Sequence, residues 1–159
     1  MTPSAARLIL VVALLSAAPA LHAQGRPLRV TGVRGIAFGT VFPGVQTAVP
    51  PSDAARSGRF DITGPKLSTV QITLTLPNRL TGPAGASMPL SFGVTDGGYS
   101  LTGSTTALVP FDPRLPFSAV LSSNGAASVF LGGTLLPPGP QPGGSYVGTL
   151  TIIVAQLSL

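Results

Sequence analysis

Residues of the kinds that most often carry catalysis are almost missing from this chain. There is no cysteine, and the only histidine, His22, lies in an N-terminal segment with the pattern of a signal peptide. Removal of that segment leaves no imidazole and no thiol, which excludes Ser-His-Asp and Cys-His catalysis and the usual zinc sites. The closest approach to a nucleophile elbow, Gly85-Ala86-Ser87-Met88-Pro89, lacks the final glycine. A Lys66/Ser68 pair is explained better by polar residues at a strand edge.

The four acidic side chains, Asp53, Asp61, Asp96 and Asp112, are scattered along the sequence. None of them belongs to the Asp-x-Asp-x-Asp pattern of a calcium loop. Asp61 is expected to pair with Arg59 on one face of a strand, and the last two precede glycine and proline in turns. No Walker or Rossmann glycine motif occurs. We therefore predict a protein that is not an enzyme, with no catalytic residues, no metal site and no cofactor.

The charge distribution argues against nucleic acid as a partner. Lysine and arginine total 9 against 4 acidic residues, for a net charge of +5. Nucleic-acid binders concentrate such side chains on one surface, whereas here they are spread thinly. Arg26, Arg29 and Arg34 form the only loose cluster, and a cluster of this kind is typical of solvated charges on an exposed segment.

Residues 1–23 have the organisation of a secretory signal peptide. Arg7 precedes an apolar stretch at 8–18, and Pro19-Ala20-Leu21-His22-Ala23 follows it. Cleavage is expected after Ala23, and Ala18-Pro19-Ala20 offers a second site. The apolar stretch is too short to span a bilayer comfortably, so we predict that the protein is not an integral membrane protein. The expected route is through the periplasm to the cell surface or the medium.

Apolar and polar residues alternate with a period of two in the rest of the chain, as expected for half-buried antiparallel strands. The apolar series include Phe60 and Ile62, then Val70, Ile72, Leu74 and Leu76, and then Leu90, Phe92 and Val94. Turn signals lie at 63–65, 77–78 and 96–98. An Asn124-Gly125 turn is predicted to join strands at 117–121 and 127–131 as a hairpin.

The order of these segments predicts the fold class. No segment after the signal peptide has a sustained helical period, and seven or so short strands are typical of an immunoglobulin-like antiparallel β-sandwich. Such a domain fits residues 24–159 as one unit. The most regular run is the closing segment 144–157, in which Tyr146, Leu150, Ile152 and Val154 share one face. Past Ile152 both faces are apolar, so this strand is expected to be covered on two sides.

Three motifs resemble a family of secreted bacterial domains of unknown function related to spore coat protein U. The N-terminal run contains Ile36-Ala37-Phe38-Gly39-Thr40-Val41-Phe42-Pro43-Gly44, which resembles an opening strand of that family. Gly58-Arg59-Phe60-Asp61-Ile62-Thr63-Gly64 resembles its next strand. Gly144-Ser145-Tyr146-Val147-Gly148-Thr149-Leu150-Thr151 resembles its closing strand.

The coat protein U group includes subunits of archaic chaperone-usher pili, in which an N-terminal extension of one subunit completes the sandwich of the next. The resemblance implies an extension or donor strand at 24–35, with Leu28 and Val30 as donor residues, and a β-sandwich domain at 36–159. Tyr146, Leu150, Ile152 and Val154 would border the acceptor groove. The implied partners are further copies of the same chain, a periplasmic chaperone and an outer-membrane usher.

Two functions remain open from the sequence. The first is a structural subunit of an extracellular fibre or pilus, a filament held together by non-covalent donor-strand exchange. The second is a self-contained secreted or surface module for binding or cell adhesion, which stays monomeric. Deletion of residues 24–34 distinguishes the two functions. The self-contained module would lose an internal strand and fail to fold, and it forms no oligomer that the deletion could disrupt.

Overall fold

The computed structural model of the protein describes residues 26–157, so the predicted signal peptide lies outside the described residues. The described part contains twelve strands and one 3-10 turn at Pro83–Gly85. In chain order the strands are β1 (Arg29–Arg34), β2 (Thr47–Val49), β3 (Gly58–Thr63), β4 (Thr69–Thr75), β5 (Arg79–Thr81), β6 (Ser87–Ser91), β7 (Gly97–Ser100), β8 (Val109–Phe111), β9 (Phe117–Val120), β10 (Ala126–Leu131), β11 (Gly133–Leu135) and β12 (Thr151–Gln156). Over this range no helix is long and apolar enough to cross a membrane.

The strands form three antiparallel sheets. One has five strands in the order β1-β3-β10-β7-β8, the second has four in the order β2-β11-β6-β5, and the third has three in the order β12-β4-β9. The prediction of an all-β antiparallel sandwich is confirmed. The strands are shorter and more numerous than the sequence suggested.

The five-stranded and three-stranded sheets pack face to face around the first of two hydrophobic clusters. Its centre is formed by Ile62 and Val129 from the five-stranded sheet and by Val70 and Ile72 from the three-stranded sheet. All four are at most 1% exposed. Their alternation with polar neighbours is what turns one face of each strand inward. Complete burial of side chains of this size contributes about 1.5–3 kcal/mol each.

The second cluster lies beyond one end of the first. Met88, Leu90 and Leu135 come from the four-stranded sheet, and Phe92 and Leu131 complete the buried set. Half-buried side chains from two segments without regular strand pairing pack against it. They are Ile36, Phe38 and Val41 from the first segment, and Tyr146 and Leu150 from the second.

The sandwich therefore has two distinct ends. At the Thr63 end, β1 and β10 begin and β3 finishes, because Arg29 and Ala126 both pair with Thr63. At the Gly58 end, Leu131 pairs with Gly58, and the chain continues into β11 and the second cluster.

Two predicted turns are wrong in detail. Asn124-Gly125 does form a turn, in which the Gly125 N–H donates to the Ser122 carbonyl and Gly125 has φ +68°. The flanking strands nevertheless enter different sheets, so the turn crosses the sandwich and closes no hairpin. Gly97 and Gly98, predicted as turn residues, belong to β7. A Cβ at Gly97 would lie 2.8 Å from the Phe111 ring, so side-chain packing rather than turn geometry selects glycine there.

The ends of the chain also differ from expectation. Residues 29–34, expected to be an extension, form β1 and pair antiparallel with β3, with a bulge between Gly32 and Arg34. Residues 35–46, expected to contain the opening strand, carry no strand. In the closing run only residues 151–156 form a strand, and upstream of it Val147 makes a single bridge with Thr81.

Candidate functional site

An open groove of about 1060 Å³ runs over the second cluster at the Gly58 end. Its floor is apolar and comes from several elements of the fold. Floor residues are Leu80, Met88, Leu90, Phe92, Leu131 and Leu135. Because Met88, Leu90 and Phe92 alternate along β6 and its extension, their side chains all point to this floor.

Two extended segments form the walls of the groove. One wall comprises residues 35–41, and the other comprises residues 143–150. Ile36 and Phe38 alternate with more exposed neighbours in the first wall, as Tyr146 alternates with Ser145 and Val147 in the second. At about 3.3 Å per residue, each wall is long enough for a strand of about six residues.

The backbone of both walls is largely unpaired. Between residues 36 and 42, only the Ala37 N–H donates to another backbone group, the Arg56 carbonyl at 2.8 Å. Between residues 144 and 150, only the Val147 N–H does so, to the Thr81 carbonyl at 2.9 Å. Backbone N–H and C=O groups that face a groove must be satisfied by water or by another chain. Unpaired extended backbone above an apolar floor is the arrangement that accepts an added strand.

Tyr146 holds the second wall in place. Its ring packs directly on Gly82, where any added Cβ would collide with it, and its hydroxyl donates a hydrogen bond to the Pro142 carbonyl at 2.7 Å. The proline-rich segment before β12 is thereby fixed over the groove. A second contact, from the Gly44 N–H to the Pro137 carbonyl at 3.0 Å, joins the turn after the first wall to the loop before the second wall.

Arg34 is the only charged residue in the lining of this groove. Its guanidinium is turned away toward Ser57, because Nε donates to the Ser57 carbonyl at 2.6 Å and Nη2 lies 3.3 Å from the Ser57 hydroxyl. The groove therefore offers apolar surface and neutral backbone groups. It is suited to an extended apolar segment and not to an ion.

The structure separates the residues that the sequence assigned to one groove. Tyr146 and Leu150 line the groove, as expected for bordering residues. Ile152 and Val154 instead pack against the first cluster, inside the sandwich. Their neighbour Ile153 is 59% exposed, so no segment between residues 26 and 157 covers the second face of β12 at this position.

Leu28 and Val30, the expected donor residues, lie in their own subunit. Both are half-buried against the first cluster, and Val30 pairs with Ile62 across β1 and β3. In this conformation they are not available to a neighbouring chain. Residues 35–41 are not predicted as part of the site from the sequence, because their run resembles an opening strand of the sandwich.

The fold and the groove define a small all-β sandwich protein with an open groove over an apolar floor at one end. The chain belongs to the family described as a domain of unknown function, DUF4402, whose sequence profile matches residues 28–155. A search of curated proteins found no match.

Proposed function

We propose that the protein is a structural subunit of an extracellular fibre or pilus, joined to its neighbours by β-strand addition without covalent bonds. The groove is the acceptor, and the N-terminal segment of the next copy, containing Leu28 and Val30, is the donor. A non-enzymatic role accords with a groove whose lining is apolar. The unpaired backbone of the two groove walls carries the proposal.

The strand order supports an immunoglobulin-like sandwich with one position empty. In that fold one sheet has the order A-B-E-D, and the other has C, F and G as neighbours. Here β1-β3-β10-β7 occupy the first order, and β12 lies beside β4 in the place of strand F. No described strand lies beyond β12 on its outer side. The vacant G position continues along residues 145–150, which belong to the second wall of the groove.

β1 is an edge strand, which makes it the best candidate for exchange. It pairs only with β3, and its apolar side chains Leu28 and Val30 are half-buried rather than buried. Its first residue lies at the Thr63 end, opposite the groove. Contacts between opposite ends of identical subunits are heterologous, and when the rotation does not close they produce open filaments.

Substitution of a glycine in the groove wall tests this proposal. Gly35 lines the groove with open space around an added Cβ, so Gly35→Trp places a large side chain there without a backbone clash. Gly139 also has open space around an added Cβ, but it does not line the groove, so Gly139→Trp is the matched control. We expect electron microscopy of mature protein (24–159) to reveal filaments for the wild type and Gly139→Trp, and none for Gly35→Trp. A soluble monomer at high concentration for the wild type would overturn the proposal.

The packing of β1 in its own chain favours a second candidate, the self-contained binding or adhesion module. If Leu28 and Val30 never leave the first cluster, this segment has no apolar side chains to donate to a neighbour. Deletion of residues 24–34 would then abolish folding of a monomer. In the fibre, the same deletion would leave a folded subunit that accepts a strand but cannot donate one.

A further inference from the structure

The loop between β3 and β4 presents a leucine to solvent at the Thr63 end. Leu67 is 66% exposed and has φ +55°, one of two non-glycine residues with positive φ among those described. Left-handed backbone is unfavourable for a side chain with a Cβ. The conformation is maintained by the Leu67 N–H, which donates to the Ser122 carbonyl at 3.2 Å, and by the Ser68 hydroxyl, which donates to the Pro65 carbonyl at 2.9 Å. Strained residues of this kind cluster at functional sites.

Leu67 is accompanied by other exposed apolar side chains at the same end. Val120 pairs with Thr69 and is 48% exposed, and the Leu157 N–H donates to the Thr69 carbonyl at 2.9 Å. The tip of the loop and its flanks therefore form an apolar apex. In a water-exposed surface such an apex is a candidate interaction site.

Three exposed cations lie at the same end of the sandwich. Lys66 precedes Leu67, Arg29 pairs with Thr63, and Arg26 lies three residues before Arg29. None of the three takes part in an ion pair between residues 26 and 157. Between residues 26 and 157, the loops of this end contain no aspartate or glutamate.

All four aspartates already have hydrogen-bonding partners. Asp53 pairs with Arg56 at 2.7 Å, Asp61 with Arg59 at 2.9 Å, and Asp112 with Arg114 at 2.7 Å. These contacts are local. Asp96 accepts a hydrogen bond from the Gly93 N–H at 2.7 Å. Asp96 and Asp112 flank the β7–β8 pair at the Gly58 end, where Gly97 pairs with Phe111.

We propose that the Thr63 end is a docking site for a lipid surface with anionic headgroups. Lys66, Arg29 and Arg26 match the negative charge of the headgroups, and Leu67 inserts between them. Exposed apolar side chains together with cations at one end are the pattern of an interfacial anchor. A soluble acidic polysaccharide would use the cations and gain nothing from Leu67, so the leucine favours lipid. The site is at the opposite end from the groove. Arg26 and Arg29 flank the proposed donor residues, so the site belongs to the subunit with β1 in its own sandwich.

Vesicle flotation tests this assignment with the mature chain (24–159). We expect the protein to float with phosphatidylcholine vesicles containing about one-third phosphatidylglycerol at low salt, and not with pure phosphatidylcholine vesicles. Lys66→Gln should weaken binding about fivefold, since each basic side chain near such a surface contributes a comparable factor. Leu67→Gly should weaken it about tenfold because it removes the inserted side chain, while it relieves the backbone strain.

Two substitutions at the Gly58 end serve as matched controls. Leu115 is 61% exposed between β8 and β9, and Arg79 is exposed in β5. Leu115→Gly and Arg79→Gln should leave flotation unchanged. The same assay on Gly35→Trp, in which strand addition is blocked and β1 stays in its own sandwich, should retain flotation with anionic vesicles and so separates docking from assembly.

Several results would overturn the proposal. The proposal is wrong if the protein does not float with anionic vesicles or floats equally with neutral ones. It is also wrong if Leu67→Gly binds anionic vesicles as strongly as the wild type. Retention on immobilised heparin without vesicle binding would assign this end to an acidic polysaccharide instead.

Discussion

Leu28 and Val30 decide whether β1 belongs to its own sandwich, and a double substitution measures this directly. Together Leu28→Ala and Val30→Ala remove five carbons, which would cost about 4 kcal/mol if fully buried at about 0.8 kcal/mol each. Both side chains are half-buried against the first cluster, so we expect a loss of about 2 kcal/mol in the free energy of unfolding. The remaining alanine side chains keep the strand apolar, so the pairing with β3 should survive.

Urea unfolding followed by far-ultraviolet circular dichroism is the appropriate assay, because the chain has no tryptophan. With a slope of about 2 kcal/mol/M, a loss of about 2 kcal/mol lowers the midpoint by about 1 M. The slope itself should not change, since a changed slope would indicate an altered unfolded state or loss of two-state behaviour. The experiment uses the non-polymerising Gly35→Trp background, so that unfolding is not coupled to assembly.

Val33→Ala is the control, because Val33 lies on the same strand with its side chain 49% exposed. We expect it to shift the midpoint only slightly. If the double variant unfolds at the same urea concentration as Val33→Ala, the packing of β1 in its own sandwich contributes nothing to stability. The reasoning that places Leu28 and Val30 in their own core would then be refuted.

Three further predictions concern the rest of the sandwich. Gly125→Ala should lower the free energy of unfolding, measured by thermal melting, by about 1–3 kcal/mol, because the glycine has φ +68° and an added Cβ would collide with the Gly64 carbonyl. Gly139→Ala is the control and should melt like the wild type. Equal melting temperatures of the two variants would contradict this prediction. Burial would raise the pKa of Asp61, but the hydrogen bonds from Arg59 and Ser128 outweigh burial and lower the pKa. The stability that this carboxylate contributes is therefore present above about pH 4 and is lost as the pH falls. Asp61→Asn should flatten the acid side of a profile of melting temperature against pH, and an unchanged profile would count against this prediction. Burial raises the pKa of Tyr99 to about 12, so the wild type should lose stability as the pH rises from 10 toward 12. Tyr99→Phe should remove the contribution of this residue to the tyrosinate absorbance and leave that of the second tyrosine, Tyr146.

The fold class could be predicted from the sequence because alternation is a local property. Phe60 and Ile62, or Val70 and Ile72, turn to the same face wherever the strand lies, so their burial follows from spacing alone. The Arg59–Asp61 pair was predicted for the same reason, since residues two apart share a face, and the two side chains are 2.9 Å apart.

The partner of each strand was not predictable in this way. The 117–121 and 127–131 segments were joined correctly by a turn, but the turn crosses between sheets. Gly97 and Gly98 resemble a turn locally, and only the packing of Phe111 and Leu108 against them explains their place in β7. Long-range packing of this kind leaves no local pattern in the sequence.

By itself, the sequence determined that the chain alternates as β-structure, lacks the side chains of common catalytic centres and has an apolar closing segment. The tertiary structure decided that this segment divides, with Tyr146 and Leu150 beside the groove and Ile152 and Val154 in the core. It also decided that residues 35–41 and 143–150 face each other with unpaired backbone. The physical reason is that side-chain alternation fixes only which way a residue points, whereas hydrogen bonding depends on which segment, if any, lies alongside.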